Sequence, residues 1–233
     1  MITDIIFDFF GTLVDYTEKW DPAAKNTAHE YLLSLGFSMD KETFTRTFDT
    51  CFAELTEAAV RTGTEFHMYD MGNHFFRKCF GTSPAENVTR TLIDRSIDDW
   101  NAGVVYFDGI AEFLAGLREN YRLSILSNTN YPDLVHRNLK NMKIQEYFHK
   151  VYTSVEIGSR KPNAGPFEFV LSDLKVPASG ALFVGDSYND DFLGATTVGM
   201  PCCLIDKKKR YTDYVPVSLT SLFDLPEKLG EYR

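Results

Sequence analysis

The stretch IIFDFFGTLVD, Ile5 to Asp15, decides how this chain is read. A short apolar run ends directly in a carboxylate, Asp8, and Phe10 stands two residues further on. Continuous apolar runs of this length read as strands covered on both faces, the pattern of a parallel sheet. The arrangement recurs: LSIL precedes Ser127, ALFV precedes Gly185, VYTSV from Val151 precedes GSRKP, and CCLI begins at Cys202. Helical patterns follow these runs. Strands alternating with helices predict an α/β fold built on a doubly wound parallel sheet.

Between the first strand and the second the pattern changes to helices only. Asp21-Pro22 reads as an N-cap followed by Pro at the first helical position, with Gly36 as the stop. Asp40 opens a run to about Arg61, a third helix covers Phe66 to Phe80, and Ser83-Pro84 starts a fourth that ends near Trp100. Phe44, Phe48, Phe52, Phe75 and Phe76 fall at helical spacings and read as the core of a small bundle. The expected organisation is a discontinuous α/β core over 1–15 and 103–233, interrupted by a helical insert over 16–102.

The 233 residues carry a net charge of -9, which argues against nucleic acid as a partner, since such footprints are normally basic. A small anionic substrate remains compatible, because a local site can be positive on an acidic protein. No apolar run approaches the ~18 residues of a membrane span, and no basic leader precedes the first strand. Cys51, Cys79, Cys202 and Cys203 have neither zinc-type nor disulfide spacing and read as buried free thiols. A reducing cytoplasm is the expected compartment.

Ligands bind at the carboxyl ends of strands in an open parallel sheet. Asp8 and Thr12 follow the first strand, Ser127 and Asn128 the second, Lys161 the VYTSV segment, and Asp186, Asp190 and Asp191 the ALFVG run. One sheet edge therefore collects carboxylates, hydroxyls, an amide and an ammonium. That set suits attack by a carboxylate on a phosphoryl group, with Mg²⁺ held by oxygen ligands between the two negative partners.

DFFGTLVD, LSNTN, RKP and VGDSYNDDFLGA, in this order, resemble the four motifs of the haloacid dehalogenase superfamily. The resemblance implies a Rossmann-like core with an inserted cap. It implies Asp8 as nucleophile and metal ligand, the Phe10 carbonyl, Asp186 and Asp191 as further Mg²⁺ ligands, and Thr12 as support for the first loop. It also implies Ser127, Asn128 and Lys161 as phosphoryl-binding residues, with Lys161 neutralising charge. For the second acidic position of the fourth motif, the spacing to GATTVGM favours Asp191 and the GDSYND spacing favours Asp190.

Phe10 departs from the pattern. Phosphatases of this superfamily carry a second Asp there, which protonates the leaving alcohol, and a phenyl ring moves no proton. General acid–base catalysis contributes ~10²–10⁴-fold. Three readings follow. In the first, the chain is a Mg²⁺-dependent phosphatase acting on a small phosphorylated metabolite through an aspartyl-phosphate; the leaving group needs no acid, or a water or a cap residue such as His67 or His74 supplies the proton. In the second, it displaces halide from a 2-haloacid. In the third, it binds phosphate and metal with little catalysis. Lys207, Lys208, Lys209 and Arg210 read as a solvated basic run.

Overall fold

The computed structural model describes residues 1–17, 26–211, 214–215 and 218–232. The chain divides into two compact units, Met1–Asp15 with Tyr106–Arg233, and Tyr16–Val105.

Strand β1 (Asp4–Phe7) is buried along its whole length. The chain then makes a tight loop, held by Gly11 N–H donating to the Val14 carbonyl and by Leu13 and Val14 N–H donating to the Phe9 carbonyl. It enters β2 (Val14–Tyr16), which pairs with β3 (Val104–Tyr106) in a separate two-stranded ribbon. The division between the units falls within these two strands.

The helical unit contains α1 (Thr27–Ser34), α2 (Lys41–Thr62), α3 (Met68–Phe80) and α4 (Glu86–Asn101). Side chains cap three of them, as orphan N–H groups at helix starts require. Asn26 accepts from the His29 N–H, Asp40 from the Thr43 N–H, and His67 from the Tyr69 N–H. Gly63 and Gly81 close α2 and α3 in the left-handed conformation, where a side chain would be strained. Phe44, Phe75 and Phe76 are buried and meet at ring-centroid distances of 5.4 and 5.8 Å. Three expectations shift. The Asp21-Pro22 start lies outside the described residues. Helix α4 begins at Glu86, two residues beyond Pro84, with Ala85 as an N-cap that offers no side-chain bond. Phe52 is exposed rather than core, though its ring meets Phe66 at 5.8 Å.

After β3 the chain alternates as the apolar runs require: α5 (Ile110–Arg118), β4 (Arg122–Ser127), α6 (Pro132–Asn141), β5 (Lys150–Thr153), the single turn α7 (Ser154–Ile157), α8 (Ala164–Leu174) and β6 (Ala181–Gly185). A π-helical turn over Tyr188–Leu193 leads into the short α9 (Gly194–Thr197). The chain continues through β7 (Cys202–Ile205) and β8 (Ser218–Leu219) to α10 (Leu225–Lys228). The VYTSV segment splits, because Ser154 already begins α7, and β8 and the β2–β3 ribbon have no counterpart in the sequence reading.

The main sheet is parallel, in the order β5-β4-β1-β6-β7-β8. Counted along the chain within this sheet, that is the doubly wound order 3-2-1-4-5-6, a Rossmann-like α/β core. The connections reverse direction between β1 and β6, which places the ligand crevice at their carboxyl ends. Registers Phe7↔Val184 and Phe7↔Ile125 bring the ends of three strands level. Helix α8 packs Phe167, Val170 and Leu174 on Ile6, Leu126 and Phe183. Burying each such side chain contributes ~1.5–3 kcal/mol, so the strand ends rest on a rigid floor. Of the cysteines, Cys51, Cys202 and Cys203 are buried, whereas Cys79 is half-buried. Among the described residues no helix is long and apolar enough to cross a membrane.

Candidate active site

Asp8 is the first residue past β1, and its N–H donates to the Val184 carbonyl of β6 at 2.8 Å. This bond extends the strand pairing by one residue and fixes where the carboxylate begins. Lys161 reaches it from the segment between α7 and α8. The Lys161 Nζ donates to Asp8 Oδ1 at 2.8 Å, to Asp191 Oδ1 at 2.7 Å and to the Leu126 carbonyl at 3.0 Å. Both Lys161 and Asp191 are 1% exposed. Burial works against the ammonium, but Asp191 and Asp8 more than offset it and hold Lys161 protonated beyond the usual lysine range.

The two neighbouring acids of the last motif separate cleanly. Adjacent residues on a helical turn face different directions, and the π-helical turn aims Asp191 inward, where its Oδ2 accepts the Ser187 N–H at 2.9 Å. Asp190 lies half-buried, 3.4 Å from the Asn128 amide nitrogen. Single-turn π bulges are frequent at functional sites.

Asp8, Asp186 and Asp191 each offer a carboxylate oxygen, and these oxygens lie within 4.8 Å of one another. Burial is the main cause that raises Asp8 above the ordinary carboxylate range, with Asp191 and Asp186 adding repulsion against the pull of Lys161. Asp186 is pushed up to about 6, first by burial and then by Asp191. Among the described residues only the Lys161 ammonium is bonded to any of these three carboxylates, with Lys207 acting on Asp186 without a bond to it, which leaves a local deficit of positive charge. An all-oxygen donor set of this kind suits a hard divalent cation. At ligand distances of about 2.0–2.1 Å, octahedral geometry separates ligand oxygens by roughly 2.9–4.2 Å, within the span seen here. The donor set therefore fits Mg²⁺.

Two glycines make the crowding possible. A Cβ on Gly11 would lie 2.4 Å from Asp186 Oδ2, and Gly11 has a φ of +92°. A Cβ on Gly185 would lie 2.2 Å from Asp191 Oδ2. Neither glycine was singled out as a site residue in the sequence, although both stand next to the strand-end motifs. The sequence reading also missed Lys207. Although exposed, its Nζ donates to the Gly11 carbonyl at 3.1 Å and to Asp15 Oδ2 at 2.8 Å, and it counters part of the upward shift of Asp186.

Among the expected phosphoryl-binding residues, Ser127 is 1% exposed and its Oγ has no hydrogen-bond partner among the described residues. The same holds for Thr12 Oγ1, so the first loop is held by backbone bonds rather than by that hydroxyl. A buried unpaired hydroxyl costs about 1–3 kcal/mol, a penalty that an anionic ligand oxygen would remove. Asn128 is engaged in a reciprocal pair with the Lys161 backbone, both bonds 2.9 Å, and so positions the lysine. The Phe10 ring is half-buried and packs edge-on against Phe9, with centroids 4.9 Å apart. His67 and His74 lie in the helical unit and already have partners, the Tyr69 N–H and Glu54.

A glyceraldehyde 3-phosphate phosphatase of Pyrococcus abyssi is 30% identical over 213 residues, covering 86% of this chain and 79% of its own. In three dimensions the chain resembles a 2-haloacid dehalogenase of Pseudomonas syringae, with a TM-score of 0.75, 21% identity and full coverage of both chains. It also resembles a HAD-hydrolase of Bacillus subtilis bound to magnesium, with a TM-score of 0.65, 17% identity, and coverage of 98% of this chain and 99% of that one. At those identities the structural likenesses show the fold alone. The family model described as haloacid dehalogenase-like hydrolase matches residues 5–205, and the chain belongs to that family of hydrolases.

Proposed function

We propose that the chain is a Mg²⁺-dependent phosphatase that transfers the phosphoryl group of a small phosphorylated metabolite to Asp8 and releases it with water. The observation that carries this reading is the buried ion cluster, in which Lys161 bridges Asp8 and Asp191 beside Asp186. Asp8, Asp186, Asp191 and the Phe10 carbonyl would hold Mg²⁺, which would screen the carboxylates from the phosphoryl oxygens and polarise the phosphorus. Lys161 engages Asp8 Oδ1, so the second carboxylate oxygen attacks phosphorus as the bond to the leaving oxygen breaks. Water then cleaves the aspartyl-phosphate and returns free Asp8. The orphan hydroxyls of Ser127 and Thr12 supply donors for phosphoryl oxygens, and Lys161 balances the charge that develops. With phenylalanine at position 10, the leaving group departs without help from that residue, which favours weakly basic leaving groups such as the carboxylate of an acyl phosphate or the phenolate of an aryl phosphate.

The aromatic ring at position 10 also matches the second reading, halide displacement from a 2-haloacid. Against it stand the three clustered carboxylates, which repel an anionic halocarboxylate. The test measures p-nitrophenyl phosphate turnover with and without Mg²⁺, beside chloride release from 2-haloacids. Turnover that requires Mg²⁺ and vanishes in Asp8→Asn is expected. Turnover retained by Asp8→Asn would sink the nucleophile assignment, and metal-independent halide release would replace the reading altogether. Mg²⁺ and phosphate affinity with neither activity would leave a binding module.

A further inference from the structure

A second group of side chains that could ligate a metal lies in the helical unit. Cys51 and Glu54 sit three residues apart on α2, which puts them on one helix face. His74 projects from α3, which packs on α2. One ligand atom from each, a thiol sulfur, a carboxylate oxygen and an imidazole nitrogen, lies within 4.8 Å of the others. We infer that these three residues form a binding site for a borderline-soft divalent cation, with Zn²⁺ as the best fit.

The donor set selects the ion. Thiolate and imidazole ligands suit zinc, whereas Mg²⁺ takes oxygen. With bonds of about 2.0–2.3 Å, a tetrahedral zinc site separates its ligand atoms by roughly 3.3–3.6 Å, so small side-chain shifts suffice here. The site grades from inside to outside. Cys51 is buried, His74 is half-buried and Glu54 is exposed, which leaves the fourth position to water or an exogenous ligand. The pairing of Glu54 is already suited to it. Lys78 Nζ holds Oε1, while Oε2 takes the His74 Nε2–H at 2.8 Å. The ion would replace that proton between Oε2 and Nε2, and Lys78 would go on orienting the carboxylate from outside the coordination sphere. The imidazole keeps one proton, now on Nδ1. Cys51 gives up its thiol proton to solvent, so binding Zn²⁺ releases one proton. Two anionic ligands then neutralise the divalent charge. Burial pushes the Cys51 thiol up to about 11, so the free thiol is protonated at neutral pH and the site binds more tightly as pH rises.

The test titrates the 233-residue chain with Co²⁺ as a spectroscopic stand-in for Zn²⁺, in excess Mg²⁺ to compete for the all-oxygen cluster. Wild type is expected to show a thiolate-to-cobalt charge-transfer band saturating at one equivalent and bleached by Zn²⁺. The band should vanish in Cys51→Ser and persist in Cys79→Ser and Asp8→Asn. Should Cys51→Ser fold poorly, the less buried His74→Ala serves, with affinity for Co²⁺ reduced about tenfold or more, at least the loss expected for an outer partner. A wild-type chain with no thiolate band, a band that survives Cys51→Ser, or His74→Ala affinity equal to wild type would each overturn the inference.

Discussion

Replacing Lys161 with methionine removes the ammonium that bridges Asp8 and Asp191 while keeping most of its volume. The lysine is 1% exposed, and its three bonds of 2.7–3.0 Å all end on buried oxygens. Breaking a buried ion pair by removing one partner costs about 3–5 kcal/mol, because the remaining charge is left uncompensated. That cost depends on pH in a definite direction. Asp8 and Asp186 already titrate above 3.8 in the folded chain, Asp186 at about 6. A carboxyl whose folded value is raised binds more protons folded than unfolded, so it lowers stability as pH rises from the unfolded value through the folded one. Without Lys161, which pulls the Asp8 value down, that value rises further and the window widens upward. Urea unfolding in chelator should therefore show the full deficit near about pH 8, and a deficit that shrinks toward about pH 4 as the carboxylates protonate. Mg²⁺ should restore part of the lost stability at pH 8 by supplying positive charge to the same oxygens. Turnover should fall ~10²–10³-fold, the usual loss for one charge-stabilising group. A stability gap below about 1 kcal/mol at pH 8 would refute the reasoning, as would a gap independent of pH.

Three further outcomes are expected. Phe10→Asp should raise kcat/KM for alkyl phosphates more than for p-nitrophenyl phosphate, since a new acid helps most where the leaving oxygen is most basic; equal change on both contradicts the account of position 10. Gly185→Ala places a methyl carbon 2.2 Å from Asp191 Oδ2, so the carboxylate must move and Mg²⁺ affinity, read by activity against Mg²⁺ concentration, should weaken; an unchanged half-saturation value would show that Asp191 does not serve the ion. Lys207→Met should cost less than about 1 kcal/mol of stability, as half-exposed pairs do, yet lower kcat by freeing the Gly11 loop; wild-type kcat would return Lys207 to the solvated run.

Much of the architecture is legible in the chain because it rests on local patterns. IIF, LSIL, ALFV and CCLI are apolar but for Ser124, the pattern of strands buried on both faces. Asp40, Gly63 and Gly81 mark helix ends because capping chemistry is local. β8 was not legible: two residues, Ser218 and Leu219, carry no periodicity, and only their register against Leu204 and Ile205 makes them a strand.

Sequence by itself determined the family, the strand-end placement of Asp8, Ser127 and Asp186, and the absence of an acid at position 10. Those are properties of order and spacing along one chain. Only the tertiary structure decided which acid of the Asp190-Asp191 pair meets Lys161, because neighbouring residues differ by direction and direction is set by the π-helical turn. It also decided that Lys207 ties down the Gly11 carbonyl from 196 residues away, and that Cys51, Glu54 and His74 converge from two helices. Each of these is a long-range juxtaposition, and spacing along a chain does not encode distance across a fold.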